Sequence, residues 1–257
     1  MTEFDCVRRR ARCILRDPPP LRYCHKDSIR NKLTRKLFFS SIACQPVLQK
    51  EKLFRLKVNP YSEIESDHGV ICILIPKTGG NSICKALFDS RGLGHDKAEQ
   101  YKNHCQEKFE ASFKFSFVRN PLDRLVSAFT YLKKGGFGWN DREFALEYLS
   151  DINTFQEFVK KMDQPEFAKA MLSWTHFEPQ FSYVCDKSGE NILNYTGHYE
   201  SLERDVRYIS QKIGARYKAL PTLNKSKRNH YMEYYNPHSE KLIRKLYSKD
   251  FDLFGYN

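Results

Sequence analysis

The sequence lacks any long apolar run. A membrane-spanning helix needs roughly 18 to 20 consecutive apolar residues, and the best stretch, Leu37 to Leu48, is interrupted by two serines, a glutamine and a proline. The pattern of a signal peptide is also missing, because Arg8 to Arg10 leads into polar residues and not into an apolar core. We therefore expect no transmembrane segment in the sequence as written and a cytoplasmic location.

Cysteine pairs with the spacing of metal or redox sites are absent as well. The eight cysteines are scattered, with no CxxC pair, in a chain of 257 residues that is long enough to fold without disulfides. Cys6, Cys13, Cys24 and His25 come nearest to a zinc site, but their spacing fits no common one. We expect free thiols in a reducing compartment and no bound metal.

Positive charge is plentiful but lies mainly near the N-terminus. Of a net charge of +12, residues 1–57 carry 15 Lys and Arg against 5 Asp and Glu, while the remainder carries 28 against 26. Such a segment suits an anionic polymer, a membrane surface or nucleic acid, or is a solvated extension. The turn-rich residues near Asn59-Pro60 mark a boundary. We therefore divide the chain into a basic N-terminal extension, residues 1–59, and one domain, residues 60–257.

A short apolar run leads directly into a glycine turn. Val70 to Ile75 is rich in β-branched residues and too short for a typical helix, which predicts a buried parallel strand. Pro76 ends the strand, and Gly79-Gly80 permits positive φ angles. After the turn, Asn81 or Ser82 is predicted to cap a helix whose apolar residues recur at helical spacing.

This strand, turn and helix would point backbone amides into one small cavity, which suits a phosphate. Lys77 adds a positive charge there. The order differs from the nucleotide-binding loop GxxxxGK[ST], which the sequence does not contain, because here the lysine precedes the glycines. The alternative is a plain glycine turn with a solvated lysine.

A second unit of the same kind follows. Phe113 to Val118 alternates aromatic and smaller residues, and an Asn-Pro pair after Arg119 is typical of a helix start. Arg124 and Ser127, three residues apart, share one face of that helix. Two arginines and a hydroxyl near a helix N-terminus suit a second phosphate, although a surface arginine and a buried serine are the alternative. The two units together predict an α/β domain whose ligand has two separated phosphates.

The rest of the domain is predicted to be mainly helical, with one further strand. The predicted elements are a helix capped by Thr154 and Glu157, a helix over Glu166 to Trp174, a strand over Asn191 to Glu200, a helix from Ser201 to Gly214, and a helix that begins at Asn236-Pro237.

Five segments of the domain together resemble those of a known family. They are IPKTGGNSI, FVRNPLDRLVSAF, HFEPQ, GHYESLERD and LNKSKRNHYMEYY. In this order they are similar to the motifs of family 2 carbohydrate sulfotransferases, known from the Golgi and from soluble bacterial relatives, which use 3′-phosphoadenosine 5′-phosphosulfate (PAPS). The resemblance implies a P-loop-like domain of three layers, with a central parallel sheet flanked by helices. It also implies transfer of the sulfuryl group of PAPS to a hydroxyl of an anionic or neutral carbohydrate, with no metal and no nucleic-acid partner.

The resemblance assigns site residues as well. It gives the 5′-phosphosulfate to Lys77, Thr78, Gly79, Gly80, Asn81 and Ser82, the 3′-phosphate to Arg119 and Ser127, and a basic loop over the cofactor to Lys225, Ser226 and Arg228. His95 is implied as the catalytic base, because heparan-type relatives carry a histidine in a Gly-His stretch before the second motif. His176, in HFEPQ, is the rival base, and Lys77 is the residue suited to neutralise charge on the bridging oxygen.

One departure from the family pattern concerns the N-terminus. Golgi members carry a transmembrane anchor there, and none is visible in this sequence. The expected compartment is therefore the cytoplasm, with the Golgi as the alternative, and membrane association is implied by the family alone.

Two other functions compete with sulfuryl transfer. A nucleotide kinase or phosphatase would use a related phosphate loop, but the GxxxxGK[ST] order and an evident magnesium carboxylate are missing. A non-catalytic protein that binds polyanions would explain the basic N-terminus and leave both phosphate loops unexplained. Binding of PAPS without magnesium, in preference to ATP, would separate the first function from both others.

Overall fold

A computed structural model of the chain describes residues 46–49, 59–90, 92, 94–220 and 229–256. Most of the basic extension, with Cys6, Cys13, Cys24 and His25, lies outside these residues. The predicted loop residues Lys225, Ser226 and Arg228 also lie outside them, so their assigned role stays a prediction.

The described helices and strands alternate along the chain as in an α/β protein. The strands are β1 (Val70–Ile73), β2 (Phe113–Val118) and β3 (Tyr195–His198). The α-helices are α1 (Glu63–His68), α2 (Gly80–Phe88), α3 (Ala98–His104), α4 (Gln106–Ala111), α5 (Pro121–Lys133), α6 (Trp139–Tyr148), α7 (Phe155–Met162), α8 (Pro165–Leu172), α9 (Phe181–Val184), α10 (Leu202–Lys212), α11 (Pro237–Leu246) and α12 (Ser248–Phe254). Short 3₁₀ turns cover Tyr199–Ser201 and Tyr231–Tyr234.

The three strands form one parallel sheet in the order β1-β2-β3. Val70 lies opposite Phe113, and Phe115 lies opposite Tyr195. All three strands therefore end at the same edge of the sheet, which is where open α/β sheets bind their ligands. The third strand is shorter than the sequence predicts, because the side chain of Asn194 accepts a hydrogen bond from Lys114 N and a 3₁₀ turn begins at Tyr199.

Helices cover both faces of the sheet. Ile71 and Ile73 pack in one buried cluster with residues of α3, α4 and α9. Val70 and Cys72, which alternate with them, pack in another cluster with residues of α2 and α10. Because successive side chains of a strand point to opposite faces, this alternation buries β1 on both sides.

A third buried cluster contains residues of helices and of the turns between them, and no strand residue. It joins α5, α6, α7 and α8 to α11 and α12, with Phe144 stacked on Trp174 at a ring-centroid distance of 4.2 Å. Val47, from within the predicted extension, is fully buried in the same cluster. The boundary near residue 59 stays a prediction, and at least Val47 belongs to the folded core.

Helix starts follow the predicted caps in three places and differ in two. Asn120, Thr154 and Asn236 each accept a hydrogen bond from a first-turn amide, as predicted. Neither Asn81 nor Ser82 caps α2: this prediction is wrong, because the N-cap is Gly79, two residues before Asn81, at a φ of 89°. Ser201 precedes α10, but its hydroxyl donates to Asp205 and caps no amide.

Two features are absent from the part of the chain that the structure describes. None of their helices combines the length and apolarity needed to traverse a bilayer. No group of three or more His, Cys, Asp and Glu among them is arranged to hold a metal ion.

Candidate active site

The loops after the three strands meet at one place. The guanidinium of Arg119, just after β2, donates from Nη1 to the carbonyl of Lys77 in the loop after β1, at 3.0 Å. It also lies 4.1 Å from the ring centroid of Tyr199, which follows β3. Asn120 N donates to Glu200 at 2.8 Å, so the second and third loops are joined as well. The predicted sheet edge is therefore one continuous site.

The loop from Pro76 to Gly80 has the backbone of an anion cradle. Lys77 and Gly79 have φ angles of 71° and 89°. A Cβ on Gly79 would lie 3.2 Å from Leu202 and 3.3 Å from Tyr199, so the glycine permits a close approach between the loops. Gly79 has no side chain, so no side chain caps the start of α2. Ser82 N donates to the carbonyl of Gly79 at 2.9 Å, and the first turn carries the positive end of the helix dipole.

The other residues assigned to this loop have different surroundings. Thr78 is buried, and its hydroxyl donates to the carbonyl of Ile75 at 2.9 Å, so it holds the turn in shape. Ser82 is buried in the first turn of α2. Asn81 is exposed and lies close to Gly92, where a Cβ would come within 2.6 Å of its side-chain oxygen.

A buried arginine supports the loop from below. Arg124 is only 2% exposed, and its Nε donates to the carbonyl of Pro76 at 3.0 Å. Its Nη2 is buried and finds no hydrogen-bond partner among the described residues. The sequence predicts Arg124 near a phosphate, and the structure places its full positive charge behind the cradle.

Arg119 lies two residues before α5 begins, and Ser127 lies on α5 itself. Arg119 is 8% exposed and pairs with Asp123 through Nε at 2.8 Å and Nη2 at 2.7 Å. Asp123, Ser127 and Tyr131 follow one another at intervals of four, which places them in one row on the helix. Ser127 thus lies between the partner of Arg119 and a tyrosine that contacts Lys77.

The three candidate catalytic residues surround that tyrosine. Lys77 Nζ lies 3.9 Å above the ring of Tyr131, a cation–π contact. The same ring lies 4.9 Å from the ring of His176, which in turn lies 6.2 Å from the ring of His95. Lys77, His95 and His176, up to 99 residues apart in the chain, therefore converge.

The two histidines differ in exposure and in hydrogen bonding. His95 is exposed, and its Nδ1 lies 2.7 Å from the carbonyl of Leu74, which can only accept. Nδ1 therefore carries the proton, and Nε2 is the basic nitrogen of the neutral ring. His176 is 7% exposed, with Nε2 at 2.9 Å from Asp141, while its Nδ1 is buried without a hydrogen-bond partner in the described part of the chain.

Asp141 is a site residue that the sequence does not reveal. It is buried at the start of α6 and accepts hydrogen bonds from His176, from the hydroxyl of Tyr131 at 2.7 Å and from Phe137 N at 3.3 Å. Burial by itself raises the pKa of the Asp141 carboxyl, but the hydrogen bond and charge of His176, with the other two donors, outweigh it and lower the pKa to about 2. Asp141 is thus held as a carboxylate that orients the ring of His176.

This lowered pKa predicts a change in acid stability. A group whose pKa is lowered on folding stabilises the fold above its ordinary pKa, here 3.8, and that contribution is lost as the pH falls through about 2. Between about pH 4 and pH 2, the free energy of unfolding should fall by roughly 2 kcal/mol more in the wild type than in Asp141→Asn. Urea denaturation at a series of pH values measures this. Tyr131→Phe, which removes one donor, should give an intermediate slope, and equal slopes in wild type and Asp141→Asn would contradict the assignment.

The HFEPQ segment holds the site together through Gln180. The side chain of this buried glutamine accepts from Arg119 N at 2.9 Å and donates to Arg119 O at 2.8 Å. The backbone amides of Gln180 and Phe181 donate to the buried Asp250 of α12. Burial raises the pKa of the Asp250 carboxyl, although hydrogen bonds from these amides and the charge of Arg124 act to lower it. An ion pair between Lys97 and Glu178 joins the same segment to the stretch that carries His95.

Most of the described chain is similar to known proteins of one family. Residues 62–257 match the model of the sulfotransferase family. Carbohydrate sulfotransferase 10 of Xenopus laevis is 30% identical over 183 residues, covering 58% of this chain and 49% of that protein. Carbohydrate sulfotransferase 10 of Danio rerio is 28% identical over 223 residues, covering 72% and 59%. Carbohydrate sulfotransferase 11 of Mus musculus is 25% identical over 236 residues, covering 76% and 66%.

The chain spans about half the length of the first of these relatives and somewhat more of the other two. No solved structure matches it at a significant level. The family model nevertheless covers the whole sheet, the loops at its carboxyl edge and the histidines between them. On this evidence the protein belongs to the sulfotransferase family.

Proposed function

We propose that this chain transfers the sulfuryl group of PAPS to a hydroxyl of a carbohydrate acceptor. One observation carries the proposal. The anion cradle with the positive charges of Lys77 and Arg119 lies at the same edge of the sheet as the imidazole of His95. The relatives named carbohydrate sulfotransferases support both the reaction and the acceptor class.

The cradle fits the two phosphate groups of PAPS. Uncapped amides of α2, the glycines of the loop and the charges of Lys77 and Arg124 suit the 5′-phosphosulfate, in a loop that we regard as P-loop-like. Arg119, with Ser127 on the adjacent helix, suits the 3′-phosphate. The buried Nη2 of Arg124, which has no hydrogen-bond partner among the described residues, supports an anionic ligand here, because a buried donor left unsatisfied is costly.

Each catalytic side chain then has one task. PAPS, when bound, supplies a sulfuryl group attached to a phosphate that departs as an anion. His95 accepts the proton of the attacking hydroxyl through Nε2 while Leu74 holds its Nδ1–H. Lys77 neutralises charge on the departing phosphate, a contribution of roughly 3 to 4 kcal/mol for one well-placed donor. Protein side chains thus supply the proton transfer and the positive charge that this displacement needs.

The geometry favours His95 over His176 as the base. The basic atom of His176 would be Nδ1, since Nε2 faces Asp141, and this nitrogen is buried. His95 is exposed, so an acceptor hydroxyl can approach it. We assign His176 to the ordering of Tyr131, whose ring lies under the ammonium of Lys77.

The proposal is tested by ligand preference and by transfer. The protein should bind adenosine 3′,5′-bisphosphate in calorimetry without magnesium, and at least tenfold more tightly than ATP, because ATP lacks the 3′-phosphate that Arg119 is placed to meet. Incubation with ³⁵S-labelled PAPS and a panel of glycans should label a carbohydrate. Tighter binding of ATP that requires magnesium would point to a kinase, and binding of polyanions without either nucleotide would point to a non-catalytic protein.

A further inference from the structure

Phe137 is the most exposed large apolar side chain among the described residues, with 87% of its surface accessible. It lies in the turn of residues 134–138 between α5 and α6, here called the Phe137 turn. A single exposed apolar residue needs no explanation by itself. The backbone contacts of this turn distinguish Phe137 from other exposed apolar residues.

The backbone of the Phe137 turn is fixed to the active-site network. Phe137 N donates to the hydroxyl of Tyr131 at 2.8 Å and to the carboxylate of Asp141 at 3.3 Å. Gly136 has a φ of 61°, and a Cβ at this position would lie 2.2 Å from the Cβ of Asp141. The chain therefore crosses Asp141 in direct contact, which only glycine allows. The backbone of Phe137 is therefore tied directly to Tyr131 and Asp141, while its ring is exposed to solvent.

We propose that the Phe137 turn is an acceptor subsite, where the phenyl ring packs against the C–H face of a pyranose ring of the acceptor chain. The inference rests on the proposed function and adds a residue that recognises the acceptor. A phenyl ring offers a large apolar face at a low cost in conformational entropy, because only two side-chain torsions are fixed on binding. The C–H face of a pyranose is the apolar surface of a sugar, and its hydroxyls remain at the rim.

The surroundings of the ring suit a sugar better than a protein partner. A stable protein interface covers roughly 800 Å² on each side with several apolar anchors, whereas the described residues of this turn expose one ring. Lys134 before it and Arg142 after it are exposed, and the Cγ of Arg142 lies 3.9 Å from where a Cβ of Gly135 would be. One apolar ring with cationic neighbours matches a saccharide that has one apolar face and hydroxyl or carboxylate groups around it.

The test measures sugar binding directly. Saturation-transfer NMR and titration on the full chain would use two probes, a desulfated chondroitin hexasaccharide with uronate groups and a neutral N-acetyllactosamine tetrasaccharide, each with adenosine 3′,5′-bisphosphate present. We expect at least one probe to bind, with saturation strongest at its ring C–H protons. Phe137→Ala should weaken that binding about tenfold, and Phe137→Trp should retain it. Leu146→Ala on α6, which truncates another exposed apolar side chain, should bind as the wild type does.

Each outcome separates this inference from the proposed function. Equal binding by wild type and Phe137→Ala, or no binding of either probe, would overturn the subsite. Phe137-dependent sugar binding without labelling from ³⁵S-PAPS would keep the subsite and reject the proposed function. Labelling of a glycan with the same acceptor KM in wild type and Phe137→Ala would keep the function and reject the subsite. Affinity for the bisphosphate should be unchanged in all three variants, which shows that each is folded.

Discussion

His95→Ala is expected to lower turnover by roughly 10² to 10⁴, because the variant has no group at this position to accept the acceptor proton. Its affinity for adenosine 3′,5′-bisphosphate should stay close to that of the wild type, since the cradle is formed by the loop after β1 and by Arg119. Single-turnover transfer from labelled PAPS, with calorimetry on the same samples, measures both quantities.

His176→Ala is the matched comparison for this loss. It leaves Asp141 buried without its imidazole partner and so should lower stability as well as activity. His176→Gln, which can still donate to Asp141, should recover much of the stability and most of the turnover. If His95→Ala turned over normally and His176→Gln were inactive, the base would belong to the HFEPQ segment. The cofactor assignment would survive that result, because it depends on neither histidine.

Arg119→Ala is expected to weaken binding of adenosine 3′,5′-bisphosphate roughly 10- to 100-fold. In the proposed function the guanidinium contacts the 3′-phosphate, and hydrogen bonds to charged groups contribute roughly 1.5 to 3 kcal/mol. Its Nη1 also holds the carbonyl of Lys77, so part of the loss would come from a less ordered loop. Calorimetry gives the affinity, and thermal unfolding shows whether the variant is folded.

A variant of Asp123 separates the contact of Arg119 with phosphate from its contact with the loop after β1. In the structure its carboxylate occupies Nε and Nη2 of Arg119, where a phosphate would compete with it. Asp123→Asn should therefore bind the bisphosphate at least as tightly as the wild type if Arg119 contacts phosphate. Arg207→Ala, which removes an exposed arginine of α10, is the control and should change little. Unchanged affinity in Arg119→Ala would remove the loop after β2 from the site.

The parts of the fold that could be predicted from sequence depend on local signals. β1 and β2 are marked by short apolar runs that end at a turn, and the caps at Asn120, Thr154 and Asn236 depend on residues within one helical turn. The position of His95 near the sheet edge also follows from connectivity, since the chain must return there between two parallel strands. Its hydrogen bond to Leu74 agrees with that expectation.

The rest could not be predicted because it depends on pairs far apart in the chain. Asp141 meets His176 across 35 residues, and Gln180 meets Arg119 across 61. No spacing rule links these positions, and a charged residue in a helix is usually exposed. The cap of α2 was mispredicted for a related reason: Asn81 and Ser82 are good caps by type, but positive φ angles in the preceding loop start the helix sooner.

Lys77 has a backbone conformation that lowers the stability of the native state. Its φ of 71° lies in a region that costs a residue with a side chain roughly 1 to 2 kcal/mol and costs glycine almost nothing. A sequence selected only to fold would place glycine at this position, as it does two residues later. The lysine is therefore a standing cost to the native state, and the role proposed for its ammonium group at the departing phosphate accounts for it. Natural variation that raises the melting temperature of such a domain should accumulate away from this loop, because relaxing the strain at residue 77 also removes the charge.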